Sequence, residues 1–185
     1  MEIGNWSLEI NLAYAILQPL ILILTSMCSG VSFNSRNLSE GELEKFYTPA
    51  QIRAVKKKGT AEQYFWQEHA FLPILTKTGV QLKQWGNKTD DLVLPKTAWA
   101  KLESIRAGKW EHLNPKPVLI DITAGIENKF YFALPEGTTG LMVRMDDQDI
   151  VYLVTKEADA EYQAKTGHSR QPLGKIVYNK SHSRY

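Results

Sequence analysis

Near residue 115 the hydrophobic periodicity of this sequence changes, and no other pattern in the chain limits its fold as strongly. Beyond that point apolar and polar residues alternate through four strand-like runs, PVLIDITAG, NKFYFALPEG, GLMVRMDD and DIVYLVTKE. Turn-forming residues separate the runs, and consecutive strands with short loops usually pair in antiparallel fashion. The sequence therefore predicts a four-stranded antiparallel meander toward the C-terminal end.

The alternation also predicts which residues of this meander face the core. The expected core set is Val118, Ile120, Ile122, Phe130, Phe132, Leu134, Leu141, Val143 and Met145. A pleated strand turns intervening residues to the other face, which would carry Asp121, Thr123, Tyr131, Met142 and Arg144. Tyrosine, methionine and arginine are enriched where proteins contact one another, so these five residues are predicted to bind a protein partner.

The part of the chain before the meander contains helix signals. In TPAQIRAVKKKG, Thr48 is placed to cap a helix that begins at Pro49 and ends before Gly59. A second helix is predicted over 61–72, a third ending at Gly108, and a last one at 157–165, with a short strand in GVQLKQWG. The predicted fold class is α+β, with helices packed on the meander.

The domain organisation follows from these elements. A chain of 185 residues has room for one domain of about 100 to 150 residues plus extensions. We assign 48–166 to an α+β globular domain, 31–47 to a polar linker that passes into a short acidic helix, and 167–185 to a basic tail.

Residues 1–30 carry the longest apolar run. No charged side chain occurs between Glu9 and Arg36, and the run has Pro19 in its middle and a small, polar stretch behind it. This pattern favours a signal peptide, a lipoprotein signal or a membrane anchor, although the residues before the run include no Lys or Arg.

The stretch LTSMC resembles the lipobox of bacterial lipoproteins, in which the cysteine is lipidated. The resemblance implies that Cys28 carries the lipid, with Met27 where a small residue normally stands. Cleavage after Gly30 and a retained anchor are alternatives, and each predicts a cell-envelope location, periplasmic or membrane-anchored. Translation starting at Met27 would instead give a cytoplasmic protein.

Candidates for catalysis are few. On the predicted helix over 61–72, Glu68 falls at the centre of the apolar face, where burial would raise its pKa and suit it to proton transfer. His69 and His112 are its candidate partners. The stretch DDQD at 146–149 is interpreted as a polar turn, and the histidines and the single cysteine lack metal-site spacing, so the sequence predicts no metal and no cofactor.

The C-terminal residues suggest a different partner. No acidic side chain follows Glu161, whereas the segment contains Lys165, His168, Arg170 and Lys175. Such a segment can neutralise phosphates, and histidine near basic residues suits RNA cleavage.

Two functions therefore compete. The first is an exported or membrane-tethered binding protein of the inhibitor, immunity or accessory lipoprotein type, which acts through protein contact. The alternative is a small nucleic-acid-binding or RNA-cleaving, toxin-type enzyme that uses the basic tail. Nothing in the sequence indicates the oligomeric state.

Overall fold

The computed structural model describes residues 30–90, 93–128 and 130–178. Within these ranges the chain is mostly β-structure, and it forms a closed five-stranded barrel beside a four-stranded sheet. The strands are β1 (Gly30–Asn34), β2 (Thr60–Tyr64), β3 (Phe71–Thr76), β4 (Gly79–Trp85), β5 (Trp99–Lys101), β6 (Lys116–Ile120), β7 (Ala124–Glu127), β8 (Phe130–Ala133), β9 (Thr138–Met145), β10 (Gln148–Glu157) and β11 (Arg170–Pro172). The helices are α1 (Glu40–Glu44), α2 (Pro49–Lys58), α3 (Leu102–Arg106) and α4 (Ala160–Thr166), with 3₁₀ turns at Ser35–Asn37 and Glu111–Leu113.

Strand β10 closes the barrel. The strand order is β10, β4, β3, β6 and β9, and β9 pairs with β10 again through a tight turn in which Asp146 has a φ of 52°. Residues 150–155 of β10 are all buried. One face of β10 turns into the barrel with Val151 and Leu153, and the other packs Tyr152 against Trp110, with ring centroids 4.9 Å apart.

The predicted meander is wrong, because its strands are divided between the barrel and the four-stranded sheet. In the barrel, β9 and β10 pair as the prediction requires, whereas β6 lies between β3 and β9 and does not pair with β8. The run PVLIDITAG divides near Asp121 into β6 and β7, and β7 then pairs with β1 and β8 in the other sheet. Helices do not form the layer on which these strands pack.

The helix predicted over 61–72 is also wrong. Residues Thr60–Tyr64 are β2, which pairs along its whole length with β1, and Phe71–Thr76 are β3. Ala61 and Gln63 alternate inward as a strand requires, and the pairing with β1 supplies backbone hydrogen bonds that outweigh the local helix signal. The third predicted helix is shortened for the same reason, since Trp99–Lys101 pair with β10 as β5.

Several elements that were predicted from local sequence patterns are present in the structure. The Thr48 side chain accepts a hydrogen bond from Gln51 N in a capping box, and Gly59 closes α2 with a φ of 77°. The short acidic helix is α1, the strand in GVQLKQWG is β4, and α4 confirms the helix expected near 157–165.

The start of the range interpreted as a linker belongs to the core. Strand β1 lies between β2 and β7, and the side chains of Val31 and Phe33 are fully buried. The predicted leader up to residue 29, including Cys28, lies outside the described residues. Among the helices that the structure describes, none is long and apolar enough to cross a membrane.

Residues 167–178, interpreted as part of a basic tail, form a strap that joins the two sheets. Strand β11 pairs with β10 of the barrel, and Val177 pairs with Ala133 at the end of β8. Just before β11, the His168 Nε2 atom lies 2.8 Å from Oε1 of Glu127, whose side chain is fully buried on β7. The strap therefore contributes a buried polar contact as well as backbone pairing.

We predict that this strap makes the protein acid-sensitive near neutral pH. Burial lowers the pKa of His168 from the ordinary 6.5, so below about pH 6.5 the unfolded chain takes up a proton that the folded chain resists. The contribution of neutral His168 to the free energy of unfolding is fully present above that pH. It falls on acidification, by at most about 1.4 kcal/mol per pH unit. Urea unfolding between about pH 5 and 7.5 measures this loss.

His168→Gln is the control, because the amide keeps an N–H donor for Glu127 and does not titrate. Its stability should change less over the same pH range. A wild-type protein that gains stability on acidification would contradict the prediction, because that sign requires a charged imidazolium paired with Glu127.

Candidate functional site

The open end of the barrel carries a charged cluster, which we call the barrel mouth (Lys83, Lys116, Met142, Arg144 and Asp149). Asp149 precedes Val151 by two residues on β10, so it lies on the inward face of the strand. Arg144 pairs with Asp149 across the β9–β10 ladder and shares that face. The closing of the barrel thus brings these charges together.

Asp149 is the centre of the barrel mouth. Its Oδ2 atom lies 2.8 Å from Lys83 Nζ, and its Oδ1 atom lies 3.8 Å from Arg144 Nη1. The Asp149 side chain is 15% exposed, whereas that of Arg144 is 66% exposed. The longer distance and the exposure leave most of the guanidinium donors of Arg144 facing solvent.

A cavity of about 210 Å³ opens at the barrel mouth. Met142 and Leu113 give it apolar walls, and Asn114 and Lys116 complete its rim with Arg144 and Asp149. Lys116 pairs with Met142 across the β6–β9 ladder and is exposed. Two basic side chains and one carboxylate therefore surround this small, partly apolar cavity, and Lys83 contacts the same carboxylate.

A larger, open cleft of about 690 Å³ continues from the mouth, because Lys83 and Asp149 line it as well. Its walls are the loops that follow β2 and β4. Asn87 Nδ2 donates to Leu94 O at 2.9 Å and fixes the second loop, and Gln63 Nε2 donates to His69 O at 2.9 Å and fixes the first.

Lys88 ties the two loops together. Its ammonium donates to the carbonyl oxygens of Gln67 and Glu68 and lies 5.1 Å from the centroid of the Phe65 ring. Burial lowers the pKa of Lys88, and the charge of Glu68 opposes that shift. The cleft therefore has walls that are held in place before any ligand binds.

The predicted catalytic residues do not form a reactive centre. Glu68 and His69 line the cleft, but their side chains are 89% and 81% exposed and approach only to 3.9 Å. The expected burial of Glu68 is wrong because residues 65–70 are a turn and not a helix. His112 lies in the 3₁₀ turn at Glu111–Leu113 and does not line the cleft with them.

The five residues predicted to bind a partner do not share one face. Met142 and Arg144 lie together at the barrel mouth, whereas Tyr131 lies on β8 in the other sheet. Asp121 accepts a hydrogen bond from Asn37 Nδ2 at 3.0 Å, and Thr123 Oγ1 donates to Ser32 O at 3.1 Å. These last two side chains join the barrel to the segment that contains β1.

The basic residues of the C-terminal segment have acidic neighbours within the fold. Arg170 Nη2 lies 2.7 Å from Glu103 Oε2, and His168 contacts Glu127. Lys165 Nζ lies 3.7 Å from Glu161 Oε1, and Lys175 Nζ lies 3.2 Å from Glu136 Oε1. Their charges are partly neutralised within the molecule.

Sequence reasoning missed Lys83, Lys116 and Asp149. The stretch DDQD was the available signal, but only its last member, Asp149, points into the barrel mouth. Lys83 reaches Asp149 from β4, which is far from it in the sequence. In the described part of the chain, no group of three or more His, Cys, Asp or Glu side chains could hold a metal ion.

Comparison with known proteins gives no further guidance. No protein-family model matches this sequence, and no curated protein matches it. The function is therefore inferred from the geometry and charge of the barrel mouth and the cleft.

Proposed function

We propose that this protein is a binding module whose barrel mouth receives an acidic side chain of a partner protein. The observation that carries this proposal is the Arg144 guanidinium, which is largely exposed and lies beside Lys116 at the rim of a small cavity. Guanidinium groups bind carboxylates through paired, charge-assisted hydrogen bonds.

The size of the cavity favours a side chain over a free small molecule. Sites for drug-sized ligands and cofactors usually measure about 300 to 1,000 Å³. The cavity at the barrel mouth measures about 210 Å³. A single residue of a partner fits that space, and the adjoining cleft of about 690 Å³ offers room for the residues that flank it.

The chemistry of the walls supports the same conclusion. Met142 and Leu113 can contact the methylene groups of an acidic side chain while Arg144 and Lys116 meet its carboxylate. Arginines that lie against apolar side chains are enriched among the residues that contribute most to binding at protein interfaces. The basic C-terminal segment has no part in this proposal, because its charges contact acidic residues of the fold.

The proposal predicts selective recognition of a carboxylate. The probe is an end-capped Gly-Gly-Glu-Gly-Gly peptide, and the matched control peptide has Gln in place of Glu. In NMR titrations the Glu peptide should shift backbone amide signals of Leu113, Asn114, Lys116 and residues 142–149. The Gln peptide should bind at least about tenfold more weakly, since charged hydrogen bonds contribute about 1.5–3 kcal/mol.

Arg144→Ala should weaken binding of the Glu peptide by a similar factor. Arg53→Ala is the control, because Arg53 is an exposed arginine of α2 that does not line the mouth or the cleft. Equal binding of the two peptides, or equal binding by wild-type protein and Arg144→Ala, would contradict the proposal.

We also propose, from the sequence of residues 1–30 alone, that the protein is exported or tethered at the cell envelope. If a lipid on Cys28 is the anchor, Cys28→Ala should release the protein from membranes without lowering the melting temperature of the barrel. Fractionation of cells that express each form measures this release. Membrane association that is unchanged in the variant would contradict lipidation.

A further inference from the structure

A second cluster lies on the outer face of the four-stranded sheet, which we call the aromatic cluster (Glu62, Tyr64, Trp66 and Tyr131). The register places Tyr64 beside Gly30, Gly30 beside Ile126, and Ile126 beside Tyr131. Directly paired residues share a face, so the two tyrosines lie on the same side of the sheet. None of these residues lines the barrel mouth or the cleft.

Gly30 allows the Tyr64 ring to lie close to the sheet. A β-carbon at this position would lie 2.5 Å from Cδ1 of Tyr64, a distance too short for two carbon atoms. The ring therefore rests over the glycine backbone. Trp66 stacks on Tyr64 with ring centroids 5.4 Å apart and planes inclined by 29°.

The indole of Trp66 is the accessible part of this cluster. Trp66 is 73% exposed, so the face of its indole that does not contact Tyr64 is open to solvent. Tyr131 is 46% exposed. Tryptophan and tyrosine are enriched at binding interfaces, because each combines a large apolar ring with a polar group.

Glu62 supplies a negative charge among these rings. Its Oε2 atom accepts hydrogen bonds from the hydroxyls of Tyr64 at 3.1 Å and Tyr131 at 3.4 Å. Its Oε1 atom lies 3.2 Å from the ammonium of Lys58, an exposed side chain at the end of α2. The cluster thus already holds one alkylammonium group, supplied by the protein itself.

The hydroxyl of Tyr64 remains a hydrogen-bond donor over the physiological pH range. Burial, followed by the neighbouring Tyr131 and Glu62, raises the pKa of Tyr64 above its usual value. The two tyrosines therefore hold the Glu62 carboxylate in place.

We propose that the aromatic cluster binds an alkylated ammonium group, such as the trimethylammonium of choline or of a methylated lysine side chain. Cations are attracted to the faces of aromatic rings, and the attraction is strongest for tryptophan. The fixed carboxylate adds a second attraction for positive charge, and it disfavours phosphates and carboxylates. This site is separate from the barrel mouth and does not depend on the function proposed there.

The arrangement also defines what competes with the ligand. The ammonium of Lys58 neutralises part of the charge on Glu62. A bound cation gains more from Glu62 once that ammonium is removed. Lys58 therefore acts as an internal competitor, and its removal strengthens binding.

The experiment is an NMR titration of the full chain with choline, and the control ligand is 3,3-dimethylbutanol, which has the same shape without the charge. Choline should shift the indole N–H signal of Trp66, and the alcohol should not. Trp66→Leu assigns this signal. Glu62→Gln, which preserves a hydrogen-bond acceptor for both tyrosines, should weaken choline binding about 2- to 5-fold, the effect of losing one partly exposed ion pair.

Lys58→Gln should strengthen choline binding, and Lys57→Gln, which changes a neighbouring exposed lysine of α2, should leave it unchanged. A variant that merely disturbed the fold would not bind more tightly. Equal binding of choline and the neutral alcohol, or unchanged affinity in both Glu62→Gln and Lys58→Gln, would overturn the proposal.

A peptide with one trimethyllysine distinguishes the two sources of the cation. Tighter binding of the peptide than of choline would support a protein-borne ligand for this cluster, and tighter binding of choline would support a free solute. Failure of both to shift the Trp66 signal would overturn the proposal.

Discussion

Strand β10 is buried on both faces, and the rest of the fold depends on that burial. Its residues 150–155 are apolar apart from Thr155 and the hydroxyl of Tyr152, and they contribute to two separate hydrophobic clusters. A buried strand needs backbone partners along both edges, because unpaired N–H and C=O groups are costly away from water. Strands β9 and β11 supply them along one edge, and β4 and β5 along the other.

The barrel mouth lies where the buried stretch of β10 begins. Asp149 is the last charged residue before it, and its inward-facing carboxylate is only 15% exposed. A carboxylate in that position needs cationic partners, which Lys83 provides from β4 and Arg144 from β9. Lys83 forms the close ion pair with Asp149 and neutralises its charge. Arg144 is more distant and more exposed, so it retains hydrogen-bond donors for a ligand. The same closure that stabilises the barrel thus brings Lys83 and Arg144 to one carboxylate at its end.

Much of the local structure could be predicted from the sequence, and the topology could not. The ends of α2 were predictable because Thr48 and Gly59 act on the backbone within a few residues. The pairing of β6 with β3 joins strands more than forty positions apart, and nothing local encodes it. The run DIVYLVT is almost continuously apolar, and such a run suits a strand that is buried on both faces.

The candidate site shows the same division. Met142 and Arg144 were predictable from alternation along a single strand, and the structure brings them together. Lys83 and Asp149 were not, because they meet only when the barrel closes. Glu68 was misassigned, since the apolar residues around it matched helical spacing while the chain forms two strands and a turn there.

Native-state hydrogen exchange tests most directly whether β10 holds the fold together. Buried, doubly paired amides exchange only through global unfolding, whereas edges and loops open locally. The amides of residues 150–155 should therefore be the slowest in the chain, and their opening free energy should equal the free energy of unfolding measured with denaturant. If these amides exchanged faster than those of the β1–β2 pair, the four-stranded sheet rather than β10 would be the stable centre of the molecule.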